Sequence, residues 1–473
     1  MTSIILLSAF GIINLFLGFL RSNKALLPVT LLLLLAVFGI NTLDWNRGDV
    51  AYLGQSYLNG MLVVDNFAVA FTGIVVLTAL VLLPFSRSYI AANEANLAEY
   101  YALLLFSLVG AIMMVGYNHL LMLFVGIEIL SVSMYVLAGS DKRNVRSNEA
   151  ALKYFLMGAF ATGILLFGIA LLYGATGTFE LSKLAAAIQS PTNASLQPMT
   201  YIGILLMLVG ISFKVGAAPF HFWTPDVYEG TPMFFTAFMS TVVKTAGFAA
   251  FLRLLVVAFP AAQGFWLPTI TAICGLTLLI GNVGAAVQTS AKRMLAYSSI
   301  SHAGYLLISL VAMNGKLGGP SANGLFFYSL AYSIATVAAF GVLKLVADQR
   351  GREDYAGLHG LARTNPLLAF VLTVAMLSLA GIPLTGGFFG KFFVFTAAVE
   401  NGYIGLVVFA LLMSMVGIYY YLRPVIAMYL QAPAEGSEGA PIVVDGVQKA
   451  TLVLLALLTI VLGVLPGLVS GLL

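Results

Sequence analysis

Apolar residues do not alternate with polar ones along this chain. They run for many positions at a time and then give way to short charged or Gly/Pro/Asn-rich joints. A helix needs roughly 20 such residues to cross a bilayer. Fourteen runs fit, near 3–20, 26–43, 62–85, 100–116, 118–138, 149–173, 200–222, 232–257, 264–289, 294–313, 322–347, 366–395, 402–430 and 448–470. The pattern predicts an all-α polytopic membrane protein of about 14 transmembrane helices. No Lys or Arg precedes the first run, and Arg21 and Lys24 follow it. A secretory signal peptide has the opposite order, so this run is expected to be a retained span.

Composition agrees. Of 473 residues, 61% are hydrophobic and 8% charged, where a soluble domain carries about 25% charged residues. The net charge of +4 is dispersed and forms no basic block, so nothing points to nucleic acid. The single cysteine, Cys274, excludes an internal disulfide and cannot hold an iron–sulfur cluster alone.

The distribution of Lys and Arg tests the span map, because loops on the inner side of a membrane are enriched in both. With the N-terminus outside, the inner joints hold Arg21, Lys24, Arg87, Lys142, Arg143, Arg146, Lys292, Arg293, Arg350, Arg352, Arg363, Arg423 and Lys449. The outer joints hold only Arg47, Lys183 and Lys316. An even number of spans then places both termini outside.

Two spans look broken. In the seventh, Lys214 is followed by Gly216 and Pro219; in the twelfth, 378–392 reads SLAGIPLTGGFFGKF around Pro383. Proline removes a helical hydrogen bond, and lipid tolerates the gap only where protein or a polar cavity satisfies the freed backbone. Breaks at matching places in two halves point to an ion path. The two breaks are five spans apart, so helices 4–8 and 9–13 are expected to form two repeats. Five is odd, so the second repeat is inverted relative to the first. The expected organisation is three N-terminal helices in 1–99, repeats over 100–257 and 264–430, and a final helix at 448–470.

Ionisable residues inside a membrane are costly and mark function. Lys153, Lys214, Lys244, Arg253, Lys344 and Lys391 fall within predicted spans, and Glu128 is the one acidic residue deep in an apolar run. At 1.5 Å per residue, Glu128, Lys214 and Lys244 lie roughly 16–21 Å into their spans. One static Glu–Lys pair would explain Glu128 but would leave Lys244 and Lys391 without a carboxylate. Burial disfavours the charged form of a lysine, so unpaired membrane lysines with one glutamate read as a proton relay. Lys153 and Lys344 lie near inner span ends, where long side chains can simply reach water; Lys153 is a candidate for feeding Lys214. Arg253, near an outer end, is expected to be an interfacial anchor. Histidine titrates near neutral pH. His221 stands beside the first break, and His302 lies among Ser298, Ser299 and Ser301; both join the candidate relay.

At these residues the chain resembles a known family. PFHFWTPDVYEGTP at 219–232 is similar to the segment after the broken seventh helix of the antiporter-like subunits of respiratory complex I, the NADH–quinone oxidoreductase. The form PDVYEG resembles the N-type subunit most closely, and SSISHAGY at 298–305 and the break at 378–392 are further matches. The resemblance implies that Glu128 pairs with Lys214, that Lys244 is the central relay residue, and that His302 leads on to Lys391. A lysine at 391 speaks against the sister subunit with a glutamate there, and the short chain beyond the last span against the one with a long lateral helix. It further implies no cofactor on this chain, with FMN, iron–sulfur clusters and quinone in partner subunits. The partners implied are small membrane subunits and one sister antiporter-like subunit, in the bacterial cytoplasmic (inner) membrane.

Three other readings use the same residues. A stand-alone or multi-subunit cation/proton antiporter, or a membrane hydrogenase subunit, would need the same lysines and breaks. In a redox subunit that carries haem or binds quinone, a haem would need axial ligands on facing helices, and only His221 and His302 are candidates. A scaffold that translocates nothing has no use for unpaired lysines at the midplane.

Overall fold

The computed structural model describes residues 2–18, 25–45, 58, 60–86, 97–190, 195–313, 315–432 and 441–473. Arg21, Lys24, Arg47 and Arg87 of the charge map lie outside the described residues. Helices form where the apolar runs stand, and the joints decide where each begins and ends. They are α1 (Thr2–Leu17), α2 (Leu26–Leu43), α3 (Asn66–Leu82), α4 (Leu97–Val115), α5 (Leu120–Ala138) and α6 (Val145–Thr176). A short α7 (Leu181–Gln189) is followed by α8 (Gln197–Val215) and α9 (Trp223–Gly230). Next come α10 (Met233–Ala258), α11 (Pro260–Ala286), α12 (Ala291–Val311) and α13 (Pro320–Arg350). The chain closes with α14 (Pro366–Ala380), α15 (Gly386–Glu400), α16 (Ile404–Leu430) and α17 (Gly446–Val464).

Caps explain several boundaries. Asp65, Asn144 and Ser290 accept a backbone N–H with their side chains at the starts of α3, α6 and α12, filling donors that a helix start leaves open. Gly177 and Gly351 end α6 and α13 in the left-handed conformation, which glycine adopts freely. Twelve of the described helical segments are long and apolar enough to cross a membrane. Two predicted spans fall short of that as single helices: the 16-residue α1, and the broken span, which is split into α14 and α15.

The two expected repeats are visible in the packing. α4 lies against α5 as α11 lies against α12; α6 packs on α8 and α9 as α13 packs on α14 and α15; α10 returns to α4 as α16 returns to α11. Each unit has five crossings, the odd number that the expected inversion requires. The units meet through α9, α10, α12 and α13. Burial follows that geometry: 94% of the apolar windows of α10 and α12 is buried, against 28% for α16 at the rim. The helices carrying Lys244 and His302 are therefore the most enclosed.

Candidate functional site

The break in the first unit forms because the sequence ends α8 one residue after Lys214. Gly216, at φ 71°, caps the helix in the left-handed conformation, and the 218–219 peptide is cis. The predicted span 200–222 is thus corrected: its helix stops at Val215, and the chain turns through Pro219 before α9 begins. Protein groups satisfy the opened backbone. Ala217 N donates to Ser212 O (2.9 Å), Ala218 N to Thr277 Oγ1 of α11 (2.9 Å), and Trp223 Nε1 to Phe213 O (2.9 Å).

The second unit repeats the device. Gly381, at φ 84°, ends α14, and α15 starts six residues after Ala380. Gly387 N donates to Ser378 Oγ at 3.1 Å. A Cβ on Gly387 would stand 1.8 Å from Ser378 O, so only glycine lets the two half-helices approach this closely. The lysines, however, are not placed symmetrically. Lys214 precedes its break; Lys391 follows its own and reaches back, donating to Ala380 O (2.9 Å) and to Ser414 Oγ of α16 (2.8 Å). Its ammonium also sits over the Tyr305 ring, 4.6 Å from the centroid. Lys391 thereby satisfies a carbonyl that the break exposes.

Lys214 is buried and donates to Ser131 Oγ of α5 at 2.7 Å. Glu128 lies three residues before Ser131 on the same helix, its Oε1 buried and without a hydrogen-bond partner. The expected direct Glu128–Lys214 pair is not formed in this structure; the serine hydroxyl holds the lysine instead.

Lys244 follows a π-helical turn over Met239–Val243, a device common at functional sites. It is 3% exposed, donates to both Ser299 O and Ser299 Oγ, and has no ion-pair partner among the described residues. Tyr332 OH donates to the same Ser299 Oγ at 3.1 Å. Three residues on, His302 has one hydroxyl on each ring nitrogen: Tyr328 at Nδ1 (2.7 Å) and Tyr421 at Nε2 (2.9 Å). Tyr421 OH also contacts Ser298 Oγ. Beside it, Tyr420 OH joins Ser301 Oγ (3.3 Å) to Asn282 Oδ1 (3.0 Å). From Lys244 to Lys391 the protein interior is therefore lined with hydroxyls, a histidine and an aromatic face.

Other candidates land differently. Lys153 is at the surface, its side chain 38% exposed and paired with Glu149 (2.7 Å) and Asp226 (2.8 Å). His221 is buried at the break, its Nδ1 without a partner. Arg253 is no interfacial anchor: it is buried, donates to Asp65 Oδ1 (2.7 Å) and to Val115 O (2.9 Å), and ties α10 to α3 and α4. Lys344 is buried and paired with Asp348 at 2.6 Å.

Sequence reasoning missed a charged cluster at the Lys/Arg-rich end. Arg293 bridges Asp226 and Glu229, and buried Lys292 donates to Thr231 O (2.9 Å) and Glu353 (3.1 Å). It also missed Ser131 and the tyrosines, and placed Ser299 beside His302 without its bond to Lys244. The four-residue spacing of Tyr328 and Tyr332 on one helix was the available signal. Among the described residues, no group of three His, Cys, Asp or Glu is placed to hold a metal ion.

Two five-helix units with like packing, each broken beside a buried lysine, have the architecture of an antiporter-like membrane protein. Residues 117–417 match the family model described as the NADH:quinone oxidoreductase/Mrp antiporter transmembrane domain. The chain is 39% identical over 471 residues to subunit N of the NADH-quinone oxidoreductase of Cytophaga hutchinsonii, covering 98% of each. It is 46% identical over 384 residues to that of Trichlorobacter lovleyi, covering 80% of this chain and 77% of the relative. A chain of respiratory complex I from Thermus thermophilus with bound aureothin superposes with a TM-score of 0.83 at 36% identity, covering 99% of this chain and 98% of that one. The chain belongs to the NADH:quinone oxidoreductase/Mrp antiporter transmembrane family, and within it resembles subunit N.

Proposed function

We propose that this chain is the antiporter-like, proton-translocating subunit of an NADH–quinone oxidoreductase. It couples quinone reduction in partner subunits to proton movement through Glu128, Lys153, Lys214, His221, Lys244, His302 and Lys391. The observation that carries the reading is Lys244, a lysine buried between the two units whose hydrogen bonds among the described residues all go to Ser299. A scaffold would have no reason to bury an ammonium without a counter-charge, which is expensive in a membrane.

Lys153, in its acidic surface cluster, collects protons at the inner face, and His221 and Lys214 stand at the first break. When the Glu128 carboxylate is near, it stabilises charge on Lys214. When it withdraws, the proton on Nζ passes to Lys244, then by way of Ser299 and the Tyr328–His302–Tyr421 hydroxyls toward Lys391 and the outer face. Moving one charge against 100 mV costs about 2.3 kcal/mol. A two-unit swing in a lysine's pKa is worth about 2.7 kcal/mol, so one electrostatic switch has the required size. FMN, iron–sulfur clusters and quinone belong to partner subunits in this reading, and a sister antiporter-like subunit and small membrane subunits flank the chain. The setting is the bacterial cytoplasmic membrane, with both termini outside.

The test is redox-driven pumping by vesicles whose intact complex carries Lys244→Ala, with assembly verified on native gels. Assembled complex with reduced pumping and reduced quinone reduction supports the reading; normal pumping sinks it. The family description favours one second reading, a cation/proton antiporter, which predicts ion exchange by the isolated membrane subunits without any electron donor.

A further inference from the structure

The Lys/Arg-rich end of the molecule contains a polar cavity of about 450 Å³ where α9, α10, α12 and α13 converge. Arg146, Glu229, Lys292, Lys344, Asp348 and Glu353 line it; Lys292 and Lys344 are buried, and the other four are half-buried or exposed. The relay does not use it. Lys344 is the innermost charged group on α13, and from it a ridge of residues four apart runs into the protein: Lys344, Phe340, Thr336, Tyr332. Residues four apart are neighbours on the helix surface, and the ridge, winding about a third of a turn around the helix, spans about 18 Å at 1.5 Å per residue. Its inner end is already connected to the relay, because Tyr332 OH donates to Ser299 Oγ and Lys244 donates to that same oxygen.

Thr336 is 3% exposed and its hydroxyl has no protein partner. The same holds for Thr231 at the cavity wall and for Ser329 further along α13. Buried polar groups are almost always hydrogen-bonded, so these hydroxyls mark places suited to water. Between Thr336 and the cavity, the ridge contains one apolar residue, Phe340, itself 2% exposed.

We propose that this cavity communicates directly with Lys244 along the Lys344–Phe340–Thr336–Tyr332 ridge of α13, with the Phe340 ring as its apolar gate. Lys244 is then supplied with protons from the Lys/Arg-rich side without passage through Lys214. An aromatic side chain can hold such a path dry when closed and admit water when it turns. The inference rests on the relay reading of Lys244, and its test is chosen to be independent of pumping.

Thr336→Cys is introduced into the intact complex in membrane vesicles, alone and with Phe340→Ala. Aminoethyl methanethiosulfonate is added to the Lys/Arg-rich face, and modification of this chain is followed by mass spectrometry. Buried Cys274 serves as the internal unreactive thiol. Removal of the ring is expected to speed labelling of the cysteine by about tenfold or more, equivalent to about 1.4 kcal/mol of barrier. Reagent on the opposite face should give no such acceleration. Phe340→Leu, a smaller change of volume, replaces Phe340→Ala if that variant fails to assemble, with the same expected direction. Equal labelling rates with and without the ring, or equal acceleration from both faces, overturn the proposal. Labelling reports access whether or not the complex pumps. Failure of the relay reading shows instead as normal pumping in Lys244→Ala, whatever the labelling rate.

Discussion

Asp65→Ala removes two interactions at once. The carboxylate caps α3 by accepting Ala68 N at 2.7 Å, and it is the counter-charge of buried Arg253 at 2.7 Å. Loss of a cap costs about 1 kcal/mol. Leaving a buried charge without its partner costs about 3–5 kcal/mol. Arg253 keeps its bond to Val115 O and its place over the Phe67 ring, which softens the second term, so about 3–5 kcal/mol in all is expected. The sharper prediction is a reversal. Replacing the arginine as well, in Asp65→Ala with Arg253→Met, removes the orphaned charge and should recover part of the loss, short of the capping term and of the Val115 carbonyl left without its donor. The assay is thermal loss of assembled complex on native gels, with hydrogen exchange at the start of α3 reporting the cap. If the double variant is no more stable than Asp65→Ala alone, the buried ion pair does not hold α10 against α3 and the reasoning fails.

Gly387→Ala should abolish assembly or lower its midpoint temperature sharply, since the new methyl meets a backbone carbonyl that cannot move aside cheaply; native gels decide it. Lys391→Met keeps an unbranched side chain one atom shorter but leaves Ala380 O without its donor, at about 1–3 kcal/mol. Complex should still assemble, with proton pumping lost while the redox centres stay reducible, and pumping unchanged would remove Lys391 from the relay. Tyr421→Phe deletes the hydroxyl between His302 Nε2 and Ser298. Assembly should be normal and redox-driven proton transfer several-fold slower, whereas wild-type rates would exclude that hydroxyl from the path.

The fold was largely legible because lipid imposes a simple rule: apolar length sets each span, and charge sets its direction. Glycine and proline at 216–219 and 381–383 announced both breaks, and their five-span separation announced the two like-packed units. Sequence could not say where inside a span a helix stops, so the seventh was drawn through Pro219 although Gly216 already ends it. Charge sites were legible as residues but not as partners. Arg253 and Asp65 are 188 positions apart, and only the return of α10 to the N-terminal helices brings them together. Ser131 was invisible for another reason: a serine in a membrane helix is common, and only the position of a lysine ammonium gives it a role.

The most direct test of the relay is Lys244→Arg in the intact complex, reconstituted in vesicles, with protons moved per electron pair measured beside quinone reduction. Arginine keeps the positive charge and can still donate to Ser299, so a purely structural lysine would be replaced without loss. It scarcely ever gives up its proton. Assembled complex that moves fewer protons is the result the relay requires; wild-type stoichiometry and rate would contradict it.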